Sequence, residues 1–225
     1  MVYRLIKGGF VLINSFANSL CPIINLIKTK LELGRSFEKL SSGMRINRAS
    51  DDPAGLIISE KMRIRIGEIS QLIRNIEYQN NKYTTAESSL ATMQVNLQEI
   101  RDVALAASDE GATTDDMRRA YQLIVDRNIE GFNNIIKNAS FGAQPLLNGA
   151  EGSVADIKEL TTIDITDPLK AQEALETIDA RINEILTLRA DIGAKQKYQF
   201  GSQQSNLQTE LINLTEAESA WTLWR

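Results

Sequence analysis

The stretch of residues 56–107 constrains the fold of this chain most strongly, because it contains no proline and a single glycine, Gly67. One helix over this stretch would be about 75 Å long at about 1.5 Å per residue. Its apolar residues follow one another at steps of three and four, the spacing of a coiled-coil seam. The seam comprises Ile66, Ile69, Ile73, Ile76, Tyr83, Ala86, Leu90, Met93, Leu97, Ile100, Ala104 and Ala107, with polar Asn80 among them. We therefore predict a long helix that packs against others.

Two further helices are predicted, over residues 115–138 and 167–196. The first has apolar residues able to pack back on the long helix, namely Ala120, Leu123, Ile124, Ile129, Phe132, Ile135 and Ile136. Thr113 with Asp116 resembles a capping box for the first, and Asp167-Pro168 repeats the cap-and-proline start found at Asp52-Pro53. Residues 139–167 are rich in glycine, with a short apolar alternation from 157 to 165, so loops and a small β-hairpin are expected there. The predicted fold class is mainly all-α: an elongated coiled-coil or helical rod with a small loop or hairpin insert.

The composition argues against several classes of function. The chain has no histidine and one cysteine, Cys21, so the usual general base and most metal ligands are missing. We therefore expect that the chain is not an enzyme and that it has no catalytic residue, metal site or cofactor. A net charge of −4 and the absence of a long apolar run predict neither a nucleic-acid partner nor a membrane span. The Asp51-Asp52 pair is interpreted as helix capping rather than as a carboxylate site.

Several motifs resemble the bacterial flagellin family. They are LSSGMRINRASDDPAGL (residues 40–56), LQEIRDVALAASDEG (97–111), NASFGAQPLLNG (138–149), TIDARINEILTLRADIGAKQ (177–196) and NLTEAES (213–219). The resemblance runs from Ile13 to Ser219. In flagellins such segments form an inner coiled coil of paired terminal helices and a helical rod domain, with variable outer domains inserted between the two halves.

The resemblance implies a minimal flagellin without the outer domains. It assigns residues 13–43 to an amino-terminal inner helix and 44–200 to the rod, with an irregular or β segment at 139–167. It assigns 201–225 to the start of a truncated carboxy-terminal inner helix, and leaves 1–12 as a non-family extension. A kink or late helix start is expected at Cys21-Pro22. A chain truncated in this way is expected to stay monomeric or to aggregate.

The same resemblance implies candidate contact residues. Arg45, Asn47 and Arg48 lie in the loop between the amino-terminal helix and the long helix. They are either subunit contacts or a solvated polar turn, and both interpretations stay open. Apolar residues of the preceding helix, including Ile23, Ile27 and Leu31, are expected to lack cover and to meet a neighbouring subunit. Glu99, Arg101, Val103 and Ile124 lie in the region that many flagellins present to Toll-like receptor 5. Glu99 and Ile124 stand where the family has an arginine and a glutamate, so the contact is expected to be weak, with Arg101 giving a residual contact.

The function implied is a structural subunit of the bacterial flagellar filament that polymerises through its terminal helices for motility. A hook-filament junction protein and a non-flagellar coiled-coil scaffold or signalling protein are the alternatives. The implied partners are copies of the chain itself, a flagellar export chaperone and the filament cap. The implied location is extracellular, reached through the flagellar type III export apparatus, because residues 1–13 make a poor cleaved signal peptide.

Overall fold

The computed structural model describes residues 2–111 and 113–223, with side chains described from Pro22 onward. Five α-helices lie in these ranges: α1 (Val2–Ser42), α2 (Pro53–Ala107), α3 (Asp115–Asn138), α4 (Pro168–Ala194) and α5 (Gly201–Thr222). The strands within them are β1 (Ser140–Phe141) and β2 (Gln144–Pro145), an antiparallel pair in which Phe141 faces Gln144. The mainly all-α fold class is therefore confirmed. None of the described helices is long and apolar enough to cross a bilayer.

The predicted helix starts are largely confirmed, with one displaced cap. Asp52 accepts a hydrogen bond from the N–H of Gly55 at 2.8 Å, and Asp167 accepts one from Leu169 at 3.0 Å. The cap of α3 is Thr114, not Thr113. The Thr113 hydroxyl donates instead to the Ala106 carbonyl at 2.8 Å and is buried against the end of α2, so the next residue caps α3.

Helix α1 passes through Pro22 without ending, so the expected late helix start is wrong. A proline removes one backbone hydrogen bond from a helix, but the residues on both sides continue the helical backbone here. Residues 2–12 belong to the same helix as the residues that follow them. The side chain of Cys21 lies outside the described residues.

The small hairpin expected within residues 139–167 is present, at 140–145. The segment 157–165 has buried apolar residues, Ile157, Leu160, Ile163 and Ile165, but forms no strand. The segment pairs with side chains of α3 rather than with a strand. Asn133 bonds both the carbonyl and the N–H of Leu160, at 2.9 and 2.8 Å. Gln122 bonds the Ile163 carbonyl at 2.7 Å and the Ile165 N–H at 2.8 Å. We call these two residues the amide clamps.

The chain divides into two compact units. The first contains the chain up to Ser70 together with the residues from Thr209, and the second contains Gln71–Gln208. In the second unit the seam of α2 is fully buried from Ala86 to Ala107, whereas Ile73 and Ile76 are half-buried. Helix α3 turns Val125, Ile129, Phe132 and Ile136 inward. The expected packing of Ala120, Leu123 and Ile124 is wrong, because these side chains lie on the solvent side of α3.

Two buried cations of the second unit fix its irregular connections. Arg118 of α3 donates to the Ala107 carbonyl at 3.2 Å and so caps the end of α2, and it pairs with Asp115 at 3.0 Å. Lys82 of α2 donates to the Gly152 carbonyl and, at 3.2 Å, to the side chain of Gln144. The first cation fixes the turn into α3 and the second fixes the loop after β2.

Helices α4 and α5 are joined by a π-helix, Lys195–Phe200, rather than by a break. The N–H of Gly201 bonds the carbonyl of Gln196, five residues back. Phe200 packs edge-on against Tyr83 of α2, with ring centroids 5.2 Å apart. The polar stretch that follows Lys195 in the sequence is therefore helical.

Candidate subunit interface at the helical corner

The corner between α1 and α2 is built by residues that end one helix and begin the next. Gly43 has a φ of 67°, the left-handed conformation that closes α1. The Ser42 hydroxyl accepts from the N–H of Met44 at 3.2 Å and from the Asn47 amide at 2.8 Å. At the far end, a Cβ on Gly55 would lie 2.4 Å from a carboxylate oxygen of Asp52 and 2.9 Å from Ile46. Only glycine fits this first turn of α2.

The carboxylate of Asp51 closes the loop from inside. It accepts hydrogen bonds from the N–H groups of Arg48 at 3.1 Å and Asn47 at 3.3 Å, and lies 4.0 Å from the Lys39 ammonium. Burial alone would raise the pKa of Asp51, but these two donors, with the charges of Lys39 and Arg35, hold it below its usual value. The two aspartates of the pair therefore have separate tasks: Asp52 caps α2 and Asp51 holds the loop.

Arg45 joins the corner to the end of α5 within the first unit. Its N–H donates to the Thr222 carbonyl at 2.7 Å and its guanidinium donates to the Trp221 carbonyl at 3.2 Å. The guanidinium also lies 6.0 Å from the centre of the Trp221 ring, at the limit of a cation–π contact. Met44 and Leu223 form an antiparallel bridge beside it. Arg45 is thus occupied by contacts within its own chain.

The other two predicted loop residues are also engaged within the chain. Arg48 pairs with Glu38 of α1 at 3.0 Å, although 64% of its side chain remains exposed. Asn47 is bonded to Ser42, as described above. The structure brings all three residues together at one corner and gives each a partner in its own chain. Whether they also contact a neighbouring subunit remains a prediction.

Helix α1 exposes an apolar surface, which we call the α1 stripe. It comprises the large side chains Ile23, Ile24, Leu26, Ile27, Leu31, Leu33, Phe37 and Leu40, each exposed by 48% or more. Ile23, Ile27 and Leu31 follow at steps of four residues and so share one face of the helix. Isolated exposed leucines are common on protein surfaces, but a contiguous row of this length indicates an interaction surface.

The four residues matched to the receptor-contact region do not form one free surface in the second unit. Arg101 donates to Asp179 of α4 at 2.6 Å, and this hydrogen bond is the main reason that its pKa is raised. Val103 packs against the core. Glu99 is exposed, and Ile124 is exposed by 36%. Arg101, the residue expected to give residual receptor contact, is therefore already paired within its own chain.

Sequence reasoning missed the polar residues that fix the second unit. Lys82 could have been found, since it stands four residues before the seam residue Ala86 and hence on the inward face. Gln122 and Asn133 are eleven residues apart, close to three helical turns, which places both on one side of α3. Arg118 gave no signal, because nothing local distinguishes it from its exposed neighbour Arg119.

The described residues contain no group of three or more histidine, cysteine, aspartate or glutamate side chains that could hold a metal ion. What they do contain is helices with buried seams, paired corner residues and an uncovered apolar stripe. These features define a mainly helical protein with an apolar surface that its own chain leaves uncovered.

Comparison with known proteins identifies the family. The sequence profile of the bacterial flagellin N-terminal helical region matches residues 13–151. The flagellin of Halalkalibacterium halodurans is 33% identical in an alignment that covers 82% of this chain and 75% of the relative. The chain belongs to the flagellin family. The non-flagellar scaffold alternative is therefore wrong.

Other relatives have related names. The flagellar filament 33 kDa core protein of Treponema phagedenis is 28% identical, with 83% of this chain and 77% of the relative covered. A flagellin of Clostridium tyrobutyricum is 39% identical, but the match covers only 56% of this chain and 33% of the relative. Among solved structures, the crystal structure of Bacillus cereus flagellin has a TM-score of 0.48 at 21% identity, covering 63% of this chain and 88% of that one.

Proposed function

We propose that this chain is a filament subunit that polymerises through its terminal helical regions and serves motility. The observation that carries the proposal is the α1 stripe, whose eight large apolar side chains are exposed. Burying one such side chain stabilises an assembly by roughly 1.5–3 kcal/mol. A stripe of this size therefore provides a driving force for association with a second copy.

The corner supports the proposal by fixing the direction of α1 relative to the start of α2 within the first unit. Gly43, Asn47 and Asp51 close the loop, and Arg48 is bonded back to Glu38 near the end of α1. A helix that presents an apolar face for assembly should be rigidly attached at its end, because a loosely attached helix would lose more conformational entropy on association.

The filament role is favoured over that of a hook-filament junction protein by the names of the relatives, which are flagellins and filament core proteins. We infer further that the chain leaves the cell through the flagellar type III apparatus and functions extracellularly, with an export chaperone and the filament cap as partners. Recognition by Toll-like receptor 5 should be weak, since Glu99 departs from the family pattern and Arg101 is paired with Asp179.

Substitution of Ile27 by aspartate tests the proposal. A charge in the centre of a buried apolar interface costs several kcal/mol, so Ile27→Asp should weaken self-association at least about tenfold. Asn25→Asp is the matched control, because Asn25 is exposed and lies about 160° around α1 from Ile27, beside the polar residues Lys28, Thr29 and Glu32. Sedimentation velocity and light scattering over a concentration series would measure the association, with electron microscopy of any polymer. Equal association of the two variants would contradict the proposal.

A further inference from the structure

The loop that follows β2 contains the one Asn-Gly pair in the sequence, Asn148-Gly149. Asparagine is a thermolabile residue, and it is most reactive when glycine follows, because no Cβ shields the next backbone nitrogen. That nitrogen, after losing its proton, attacks the side-chain amide carbon of asparagine. The carbon–nitrogen bond of the amide breaks, ammonia leaves and a cyclic imide forms. Water then opens the ring to aspartate or isoaspartate.

The folded loop restrains both reacting groups. The N–H of Gly149 donates to the Ala155 carbonyl at 3.3 Å, so the attacking nitrogen is engaged. The Oδ1 of Asn148 accepts from the N–H of Ala150 at 3.1 Å, which fixes the side-chain amide. Gly149 has a φ of 71°, and its neighbours Leu146 and Leu147 are fully buried. The ring can close only when the Gly149 nitrogen is released from Ala155 and the Asn148 amide carbon turns toward it.

The product would place a new carboxylate beside an existing one. Asn148 and Asp156 face each other as an antiparallel bridge, and the Asp156 carboxylate lies so close to Gly149 that a Cβ there would be 2.5 Å from its oxygen. The loop also carries Glu151, while the nearby ammonium of Lys82 is already bound to Gly152 and Gln144. Two like charges in this position repel each other.

We propose that Asn148 is a spontaneous deamidation site, that the folded loop protects it, and that its product carboxylate opens the loop by repelling Asp156. The reaction consumes water and releases ammonia, and it requires no enzyme. The modification would therefore record how long, and how often, this loop has been open.

Peptide mapping tests the first two parts. The protein is held in mildly alkaline buffer with and without urea, and the tryptic peptide of residues 138–158 is followed for the replacement of a side-chain NH₂ by OH. Asn138 in the same peptide, followed by alanine, is the internal control. We expect modification at Asn148 alone, at least about tenfold slower in the folded chain, since reaction then requires local opening. Equal rates in both conditions, or an unmodified Asn148 in urea, would overturn the proposal.

Substitutions test the third part. Asn148→Asp keeps an oxygen that can accept from Ala150 and changes only the charge. We expect hydrogen exchange at the Ile157 amide, which donates to Leu147 at 3.0 Å, to become several-fold faster. Adding Asp156→Asn to this variant should restore the exchange rate of the parent, because the repelling partner is gone. Parent-like exchange in Asn148→Asp, or no recovery in the double variant, would refute the repulsion.

Discussion

At the scale of single residues, Asp51 is the side chain through which pH acts on the corner. Its pKa is lowered in the folded chain, so its ionised form binds the loop more favourably than its protonated form does. A lowered pKa contributes stability that is present above the unfolded value of about 3.8 and is lost as the pH falls through the folded value. The corner should therefore loosen in acid.

Asp51→Asn measures this contribution. The variant should be less stable than the parent near neutral pH, and the difference should shrink once the pH falls below about 4, because the parent then loses the same charge. Urea unfolding followed by tryptophan fluorescence at a series of pH values would measure it. Asp102→Asn, at an exposed aspartate of α2, is the control. A difference between parent and Asp51→Asn that did not change with pH would exclude the ionised carboxylate as its source.

Residue-level prediction from the sequence succeeded where chemistry is local. Asp52 and Asp167 were identified correctly, because a helix cap acts within a few residues of itself. The partners of Lys82 lie elsewhere along the chain: Lys82 binds Gln144 and Gly152, which are adjacent only after the loop has folded. Arg118 has a local partner in Asp115, but its bond to the Ala107 carbonyl forms only when α3 turns back on α2. The contacts of Arg45 with Trp221 and Thr222 could not be predicted from the sequence for the same reason.

At the scale of elements, the amide clamps bond the backbone groups of residues 160–165 that a neighbouring strand would otherwise bond. Gln122→Leu would leave the Ile163 carbonyl and the Ile165 N–H without their partners, at a cost of about 1–3 kcal/mol for each group. Asn133→Leu should act in the same way at Leu160. Hydrogen exchange at the amides of Leu160 and Ile165 should become faster. Asn134→Leu, at the exposed position beside the clamp, should change stability by less than about 0.5 kcal/mol. Unaltered exchange in both clamp variants would show that the segment is held by its apolar side chains alone.

The seam of α2 allows a graded test. Leu97 is fully buried and Ile73 is only half-buried. Leu97→Asp should cost several kcal/mol because it places an unpaired charge in the core, and Ile73→Asp should cost clearly less. Thermal unfolding of both variants would compare them. If Leu97→Asp unfolded at the temperature of the parent, the assignment of the seam would be wrong.

The ranges of the helices were more predictable than the contacts that each element makes. A period of three and four residues repeated over fifty residues is a strong signal, and the predicted ranges of α2 and α3 agree closely with those observed. The alternation at 157–165 correctly marked buried residues but not a strand, since period two reports which side chains face the core and says nothing of what bonds the backbone. The inward face of α3 was misassigned at Leu123 and Ile124 because both faces of that helix carry apolar residues.

At the scale of the whole molecule, the uncovered α1 stripe makes helix content depend on concentration. Helix α1 has 41 of the 225 residues, about 18% of the chain. A helix without packing partners gains little from its apolar face, so association should stabilise it. The far-ultraviolet circular dichroism signal per residue should therefore increase with protein concentration, and Ile27→Asp should remove that increase. A signal independent of concentration in the parent would mean that α1 is stable without a partner.

The π-helix at Lys195–Phe200 bears on how this chain tolerates changes in length. A turn with bonds to the fifth residue back holds one residue more than an ordinary turn, as if a single codon had been inserted there. Losing one residue from this turn would return it to the ordinary α-helical repeat. Losing one residue within α4 would rotate every later side chain by about 100° and turn its inward face aside. In this part of the molecule, insertions and deletions between related genes should therefore concentrate in those six positions.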